Sequence, residues 1–376
     1  MEPLKNLFNH QTVEHLALIL SNNCPIFDKP LFLSSFENLE ALELKQRGDL
    51  IVHNLNRSMP QDFKLCEEII LKSLIPAIEE DTLTQMRSTP THLGGWILWP
   101  IQFFLLHRLN EDKTLVVPVF NLLKEMTTRF SSEFSIRHLL KEHFCIVHPL
   151  LISLALDPNV HVRRWVSEGT RPRLPWGIKL EKFCTDPSLN IEILKAVQSD
   201  QSLYVRKSVA NHLNDISKDN PEFVIFWAKK YWPQAQKNSL LYWTLKHGLR
   251  TLIKKGNKEV LALLGASDIK IENIKAKVTS EVLKKNNKTS QEINLSFNCD
   301  SQNSVILDFK LIYPGKNKPK IKIIKGKSFT SNIGTNFVNK KFNLFDNSVA
   351  FFEKGNYELE IIINGNCIQK LFWALV

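Results

Sequence analysis

Two stretches of the chain carry the same short pattern 43 residues apart, and this period constrains the fold more than any other feature. One begins at Asp157 and the other at Asp200, and in both a Val-Arg pair follows at the fifth and sixth positions after the Asp. A period of about 40–47 residues is typical of helical repeats with two helices each. We expect each Asp to cap the start of a helix and the Val to face the neighbouring repeat. The pattern predicts an α-solenoid with a row of guanidinium groups from Arg163 and Arg206, which Arg250 would continue.

The rest of the chain divides into a helical part and a part with a different pattern. Apolar residues recur at helical spacing from residue 4 onward, and no segment before residue 265 resembles a strand bounded by hairpin turns. Arginine is absent after Arg250, whereas lysine and asparagine become frequent. We therefore expect a mainly α, HEAT-like repeat domain at 1–268, followed by a basic linker or domain entrance at 269–290.

Residues 291–376 alternate apolar and polar side chains with the period of two that is typical of β-strands. The alternation is clear in INLSFNC, VILDFKLIY, KIKIIKG, VAFFEKG and YELEIIINGNCIQKLFWAL. Residues 362–366, Ile-Ile-Asn-Gly-Asn, indicate a hairpin turn. These segments predict a small antiparallel β-sandwich.

Composition narrows the classes of function. The formal net charge of +11 and the pI near 9.2 favour a polyanionic partner, although a solubilising surface charge explains the excess equally well. The six cysteines are scattered without a CxxC pair, which is typical of reduced thiols in the cytoplasm. His143, Cys145 and His148 lack the spacing of a zinc motif, so we expect no metal. The apolar stretch 88–107 is interrupted by Pro100 and predicts a buried helix rather than a membrane span.

Six basic residues of the two repeated stretches are candidates for contact with phosphate. Two of the arginines adjoin Pro172, and a backbone stiffened in this way loses less entropy when a guanidinium group binds phosphate through two hydrogen bonds. The alternative is internal ion pairing with Asp157 or Glu168. The candidates are Arg163, Arg164, Arg171, Arg173, Arg206 and Lys207.

Three further residues are candidates for chemistry, and each also has a simpler interpretation. Glu133 follows two serines at a predicted helix start, where a carboxylate is favoured by the helix dipole. Asp215 lies within a predicted helix, where Asp is slightly unfavourable, but Asp219 four residues later also fits a solvated face. Trp176 lies between Pro175 and Gly177 at a turn; a buried aromatic is the usual explanation, and an exposed one would suit packing against a nucleotide.

The runs SEGTRPRLPW and VRKSVANHLNDISKDNP resemble the AlkC branch of the DNA alkylation repair glycosylases, which are HEAT-like repeat proteins. The resemblance extends to LEALELKQR and LRTLIKKGNKEVLALLG, and KIKIIKG and YELEIIINGN resemble the immunoglobulin-like domain of some AlkC-type proteins. It implies that Glu133 and Asp215 act on the lesion nucleotide and that Trp176 packs against it. It further implies double-stranded DNA with alkylated bases as the partner, a cytoplasmic location, and no need for a cofactor, a metal or an obligate protein partner.

The reaction that the resemblance implies is hydrolysis of the N-glycosidic bond of 3-methyladenine and 3-methylcytosine. Methylation at N3 makes the base cationic and therefore a good leaving group, so little general-acid assistance is required. Carboxylates near C1′ would stabilise the oxocarbenium-like sugar and position a water molecule. A protein-binding helical scaffold and a non-catalytic binder of DNA structure remain alternatives, because neither requires Glu133 and Asp215 to share a site.

Overall fold

The computed structural model describes residues 3–81, 85–237, 239–286, 288–346 and 351–376, in which helices come first along the chain and strands follow. The helices are α1 (His10–Asn23), α2 (Lys29–Leu33), α3 (Leu44–Ser58), α4 (Phe63–Ser73), α5 (Leu98–Glu111), α6 (Val116–Thr127), α7 (Glu133–Glu142), α8 (Phe144–Ser153), α9 (Val160–Gly169), α10 (Glu181–Thr185), α11 (Ile191–Val197), α12 (Leu203–Asp219), α13 (Pro221–Tyr231), α14 (Leu240–Gly248), α15 (Arg250–Lys254) and α16 (Lys258–Leu263). The strands are β1 (Ile271–Val278), β2 (Val282–Leu283), β3 (Ser290–Cys299), β4 (Ser304–Tyr313), β5 (Lys320–Thr330), β6 (Gly334–Asn343), β7 (Gly355–Ile363) and β8 (Asn366–Leu375).

The chain forms two compact units whose boundary differs from the one predicted at residue 268. The first unit comprises Met1–Asn220 and Ala235–Gly248, and the second comprises Pro221–Gln234 and Leu249–Val376. The first unit therefore holds α1–α12 and α14. Helices α13, α15 and α16 precede residue 268 in the sequence but belong to the unit that contains the strands.

The repeated pattern places α9 and α12 in equivalent positions, which confirms helical repeats in the first unit. The predicted caps are wrong by two residues: Asn159 and Ser202 are the N-caps of α9 and α12. Asp157 and Asp200 instead accept a hydrogen bond from the backbone N–H of these cap residues, each at 2.8 Å. An Asp side chain makes this turn as readily as it caps a helix, because both require only a nearby backbone N–H.

The arginines of the repeat close the loops that lead into their own helices. Nη1 of Arg163 donates to the carbonyls of Asp157 and Pro158, both at 2.9 Å. Nη1 of Arg206 donates in the same way to the carbonyls of residues 200 and 201, at 2.6 and 2.8 Å. The expected outward row of guanidinium groups is therefore wrong for this pair. Arg250 begins α15, which belongs to the second unit.

The long apolar stretch in the sequence is the core helix α5. Ile101, Phe104 and Leu105 are buried, and Pro100 lies in the first turn, where its missing N–H has no intrahelical partner to lose. This confirms the prediction of a buried helix. Across the described ranges, every helix is too short or too polar to span a bilayer.

The second unit contains two sheets that pack face to face as a β-sandwich. One sheet has the strand order β1-β3-β6 and the other β2-β8-β7-β4-β5. Phe309 on β4 contacts Phe342 on β6 edge-on, with 5.1 Å between the ring centroids, within a core built from both sheets. The predicted hairpin is confirmed: β7 and β8 are joined through Asn364 and Gly365, both with positive φ.

Three details of the β-region differ from the sequence predictions. The stretch 269–290 is not simply a linker, because β1 pairs with β3 and β2 pairs with β8. The β2–β8 pair is parallel, so the sandwich is not wholly antiparallel. In the predicted strand VAFFEKG, residues 349–350 lie outside the described residues and 351–354 form no strand.

Candidate active site

The loop after α9 is shaped by Arg137, a fully buried residue of α7. Its guanidinium group donates to main-chain carbonyls, among them those of Ile178 at 2.7 Å, Gly169 at 3.0 Å and Pro172 at 3.3 Å. Burial and, to a lesser extent, the nearby Arg171 lower the pKa of Arg137 to about 10, so the group stays protonated at neutral pH. Five donors directed at one loop hold it in a single conformation. Sequence reasoning missed this arginine, and the one signal was its position within an apolar helix face.

Gly169 allows α9 to lie close to α7 at the start of this loop. A Cβ atom added to Gly169 would lie 2.6 Å from Cγ2 of Ile136, a residue of the buried face of α7. Any larger residue would therefore push the two helices apart. The short distance between the helices allows Arg137 to reach the loop carbonyls.

Trp176 projects from this loop in an unusual conformation. The residue is 84% exposed and its backbone φ is +64°, a value that residues other than Gly and Asn rarely adopt. Such strain is of order 1 kcal/mol and persists only where the surrounding structure enforces it. Trp176 borders a groove of about 400 Å³ with mainly apolar walls, to which the aromatic side chains of Trp96, Trp99 and Phe134 contribute. The exposed Trp176 is thus part of a defined aromatic surface on the first unit.

Glu133 is the first residue of α7, as predicted, and its carboxylate is held by an arginine of α9. Nη1 of Arg164 donates to Oε2 of Glu133 at 2.8 Å and to Oγ of Ser131 at 2.6 Å. The Arg164 guanidinium also lies 5.3 Å from the ring centroid of Tyr204. Burial raises the pKa of this tyrosine, so it remains a neutral phenol beside the ion pair at neutral pH.

Asp215 lies on α12 and is 2% exposed. Its ion-pair partner, Arg171, lies on the loop that carries Trp176. Nε and Nη2 of Arg171 both donate to its Oδ2, at 2.8 and 2.7 Å. Nζ of Lys218 donates to the other oxygen, Oδ1, at 2.8 Å. A mid-helix aspartate therefore has a specific structural partner in the buried Arg171.

Glu168 connects the two carboxylates that the sequence singled out. Its Oε1 accepts from Arg171 at 2.6 Å and lies 3.4 Å from Arg164, while Ser208 donates to its Oε2 at 2.6 Å. Burial alone would raise the pKa of Glu168, but the two guanidinium groups lower it below its ordinary value. The result is one chain of alternating charges, which we call the ionic chain: Glu133, Arg164, Glu168, Arg171, Asp215 and Lys218.

His212 is the imidazole packed against this chain from α12. It is fully buried, and its Nδ1 lies 3.1 Å from the carbonyl oxygen of Ser167. Burial lowers the pKa of His212 to about 3, with a further contribution from Arg171. At neutral pH the ring is therefore uncharged and provides no imidazolium.

The basic residues predicted to contact phosphate differ in how strongly they already interact with other residues of the protein. Arg163 forms a two-point contact with Asp200, and Arg206 is buried against the ring of Trp243, 5.7 Å from its centroid. Arg164 and Arg171 belong to the ionic chain. For these four arginines the geometry favours the alternative of internal pairing. Their contact with phosphate stays a prediction.

Arg173 and Lys207 are the more accessible members of the set. Nε and Nη2 of Arg173 each donate to one oxygen of Asp219 at 2.6 Å, in a pair open to solvent. Lys207 is exposed on α12. These two side chains can reach an external phosphate with the least rearrangement.

The structure thus brings Glu133 and Asp215 into one ionic chain, with Trp176 on the connecting loop. Sequence reasoning did not assign Glu168, Ser208 or Lys218 to the site. In the described part of the chain, no three His, Cys, Asp or Glu side chains lie close enough together to hold a metal ion. His148, a residue of the rejected zinc pattern, stacks against Phe144 at 4.7 Å instead.

The first unit is a helical-repeat structure with an ionic chain beside an exposed tryptophan. Two known proteins are similar to the chain along its whole length. No family model matches the sequence. The uncharacterized protein YhaZ of Bacillus subtilis (strain 168) is 30% identical over 387 residues, with 99% of each chain covered. The structure of the Pseudomonas fluorescens alkylpurine DNA glycosylase AlkC, bound to DNA containing an abasic site analog, matches with a TM-score of 0.84 at 27% identity, covering 100% of both chains. The chain belongs to the same family as YhaZ, and its full-length likeness to AlkC supports an AlkC-type protein.

Proposed function

We propose that this chain is a DNA repair N-glycosylase that removes cationic alkylated bases from double-stranded DNA. The observation that carries the proposal is the ionic chain, which holds Glu133 and Asp215 beside a loop that displays Trp176. The full-length likeness to an alkylpurine DNA glycosylase supports the same reaction class. The finer assignment, release of 3-methyladenine and 3-methylcytosine, and a cytoplasmic location are part of this proposal.

The carboxylates would act on the deoxyribose rather than on the base. Departure of a cationic base leaves an oxocarbenium-like sugar, and fixed negative charge near C1′ stabilises it most effectively where water is excluded. Arg164 and Arg171 hold the carboxyl groups of Glu133 and Asp215 in fixed orientations, so little reorganisation is needed during the reaction. One of the two carboxylates would also accept a proton from the attacking water.

Selectivity for cationic bases follows if neither His212 nor Tyr204, the two described rings beside the ionic chain, can donate a proton to the base. A neutral adduct has to be protonated before it leaves, whereas an N3-methylated base already carries its positive charge. His212 is uncharged at neutral pH because burial lowers its pKa to about 3, and Tyr204 has a raised pKa. Neither side chain is suited to protonate a neutral purine.

Trp176 would pack against the lesion nucleotide, and exposed cations would contact the backbone. Its ring offers a large apolar face at low conformational entropy, since the strained loop is already fixed by Arg137. Arg173 and Lys207 are the predicted phosphate ligands with the greatest exposure. Phosphate contacts of this kind position the duplex without reading its sequence.

The proposal is tested with oligonucleotide duplexes that each carry a single lesion, under single-turnover conditions. We expect release of 3-methyladenine and 3-methylcytosine and negligible release of uracil, hypoxanthine or ethenoadenine. Glu133→Gln and Asp215→Asn should each slow release by at least ~10-fold, or about 1.4 kcal/mol. Glu142→Gln is the matched control, because this carboxylate lies at the other end of α7 with only a 3.8 Å contact to Lys113.

Two results would contradict the proposal. Unchanged rates in both carboxylate variants would remove Glu133 and Asp215 from the chemistry. DNA binding without release of any base would leave the protein as a non-catalytic binder of DNA structure.

We further propose that the sandwich of the second unit is immunoglobulin-like. Its strand order β1-β3-β6 corresponds to strands A-B-E of that fold, and β8-β7-β4-β5 corresponds to G-F-C-C′. Tyr357 lies near the start of β7, and its hydroxyl donates to the carbonyl of Glu353 at 2.7 Å. A tyrosine that bonds back to the chain at the corner before strand F is a hallmark of such domains.

A further inference from the structure

The two oxygens of Asp215 have partners of very different character. Oδ2 is bound by two nitrogens of Arg171, a buried residue that also pairs with Glu168. Oδ1 is bound by the ammonium group of Lys218, whose side chain is 45% exposed. One oxygen thus faces the interior of the ionic chain, and the other is covered by a cation in contact with water.

Lys218 can leave Asp215 far more easily than Arg171 can. It lies three residues later on the same helix, has a flexible stem, and forms a single hydrogen bond that water can replace. Withdrawal of Arg171 would remove the guanidinium group that two buried carboxylates, Glu168 and Asp215, share. Any access to Asp215 that leaves the fold intact therefore passes through displacement of Lys218.

Displacement of Lys218 changes the charge balance of the ionic chain. With Lys218 in place, three carboxylates face three cations in direct ion pairs. Without it, three carboxylates face Arg164 and Arg171, and Oδ1 of Asp215 becomes available to a cationic centre. Arg137 also lies nearby, but its donors are directed at main-chain carbonyls rather than at these carboxylates.

We propose that Lys218 is a positioning residue that covers Oδ1 of Asp215 in the free protein and transfers to a DNA phosphate when substrate binds. The transfer uncovers negative charge only when the duplex is seated, next to the sugar that becomes cationic. An ammonium group donates to phosphate and carboxylate oxygens alike, so the exchange keeps its charge paired. This inference rests on the proposed glycosylase function.

The test compares Lys218→Met with the conservative Lys218→Arg in the full-length protein. The probes are a duplex with an abasic-site analogue for affinity and a duplex with one 3-methyladenine for single-turnover rates. The matched control is Lys113→Met, which removes an exposed lysine near the carboxylate of Glu142, outside the ionic chain. Thermal melting of each variant checks that the fold is retained.

Lys218→Met should weaken binding of the abasic-analogue duplex by about three- to tenfold and reduce the slope of log affinity against log salt by about one. The rate at saturating substrate should stay within about threefold of the unmodified protein, or rise, because Oδ1 is already uncovered. Lys218→Arg should restore affinity and slope. Lys113→Met should leave rate, affinity and slope unchanged.

Other outcomes would overturn the inference. Unchanged affinity and slope in Lys218→Met would show that Lys218 never leaves Asp215 for a phosphate. A rate at saturating DNA that falls more than tenfold with unchanged affinity would show that Lys218 is needed beside Asp215 during the reaction. If the unmodified protein releases no base, the glycosylase proposal fails, while affinity and salt slope still decide whether Lys218 changes partner.

Discussion

The two ends of helices α9 and α12 differ in what their charged residues do. At the N-terminal ends, where the sequence repeats, Arg163 and Arg206 close the loops that precede their own helices. Toward the C-terminal ends the sequence no longer repeats. The residue that corresponds to Asp215 in the first repeat, 43 positions earlier, is Pro172. Four members of the ionic chain, Glu168, Arg171, Asp215 and Lys218, lie there instead. The repeated Arg163 and Arg206 stabilise the stack of helices, and most charges of the candidate active site lie outside the repeat.

Arg206 and Arg171, which lie at opposite ends, also differ in the kind of partner that each has. Arg206 donates to neutral carbonyls and lies against an aromatic ring, so its loss leaves no unpaired carboxylate. Arg171 neutralises two buried carboxylates, which depend on it because a buried ion without a partner is strongly unfavourable. Substitutions at the two arginines should therefore have effects of different size and kind.

The largest effect is expected for Arg171→Met, which leaves Glu168 and Asp215 without their shared cation. Removal of one partner from a buried ionic group typically costs about 3–5 kcal/mol. Chemical denaturation should show a loss of this size, together with loss of base release. Arg173→Met, on the same loop but half-exposed, is the control and should unfold like the unmodified protein. A loss below about 1 kcal/mol for Arg171→Met would show that the ionic chain relaxes around the gap.

A smaller effect is expected for Arg206→Met, at the end where the sequence repeats. Loss of two hydrogen bonds to the carbonyls of residues 200 and 201 should destabilise the protein by about 1–3 kcal/mol. The rate of base release at saturating DNA should not change, because the residue stabilises the repeat rather than the ionic chain. Affinity for DNA at two salt concentrations tests the competing prediction. A salt slope reduced by about one would show that Arg206 contacts phosphate after all.

Much of the fold could be predicted from the sequence because it depends on local periodicity. The repeat identified α9 and α12, the apolar stretch identified α5, and alternation identified β3, β4, β7 and β8. Strand β6 was missed, because GTNFVNKKFN carries too many polar residues to show a clear apolar face. Strands β1 and β2 were missed for a similar reason, since the basic and polar stretch that contains them resembles a linker.

The partners in the candidate site could not be predicted, because they come from distant parts of the chain. Arg164 binds Glu133, 31 residues away, and Arg171 binds Asp215, 44 residues away. A sequence shows that an arginine cluster lies near acidic residues but does not show whether the arginines face them or face solvent. Arg137 illustrates the limit: it lies four residues after Glu133, yet its role depends on the loop at 169–178.

The smallest effect is expected for Asp219→Asn, at the solvent-exposed edge of the site. The hydrogen bonds from Arg173 hold the pKa of Asp219 below its ordinary value, so the pair stabilises the protein above the unfolded pKa of about 4. That contribution is lost as the pH falls through the lower, folded-state pKa, so the melting temperatures of Asp219→Asn and the unmodified protein should converge in acid. At neutral pH the variant should melt only slightly earlier, since exposed ion pairs contribute little.

Because the two-point contact with Arg173 is gone, that guanidinium group becomes available to phosphate, and affinity for an abasic-analogue duplex should rise roughly two- to fivefold. The double variant Asp219→Asn with Arg173→Met should lose this gain. Unchanged or weaker binding by Asp219→Asn would mean that Arg173 keeps Asp219 as its partner on DNA and belongs with Arg163 and Arg206 among the arginines that serve the fold.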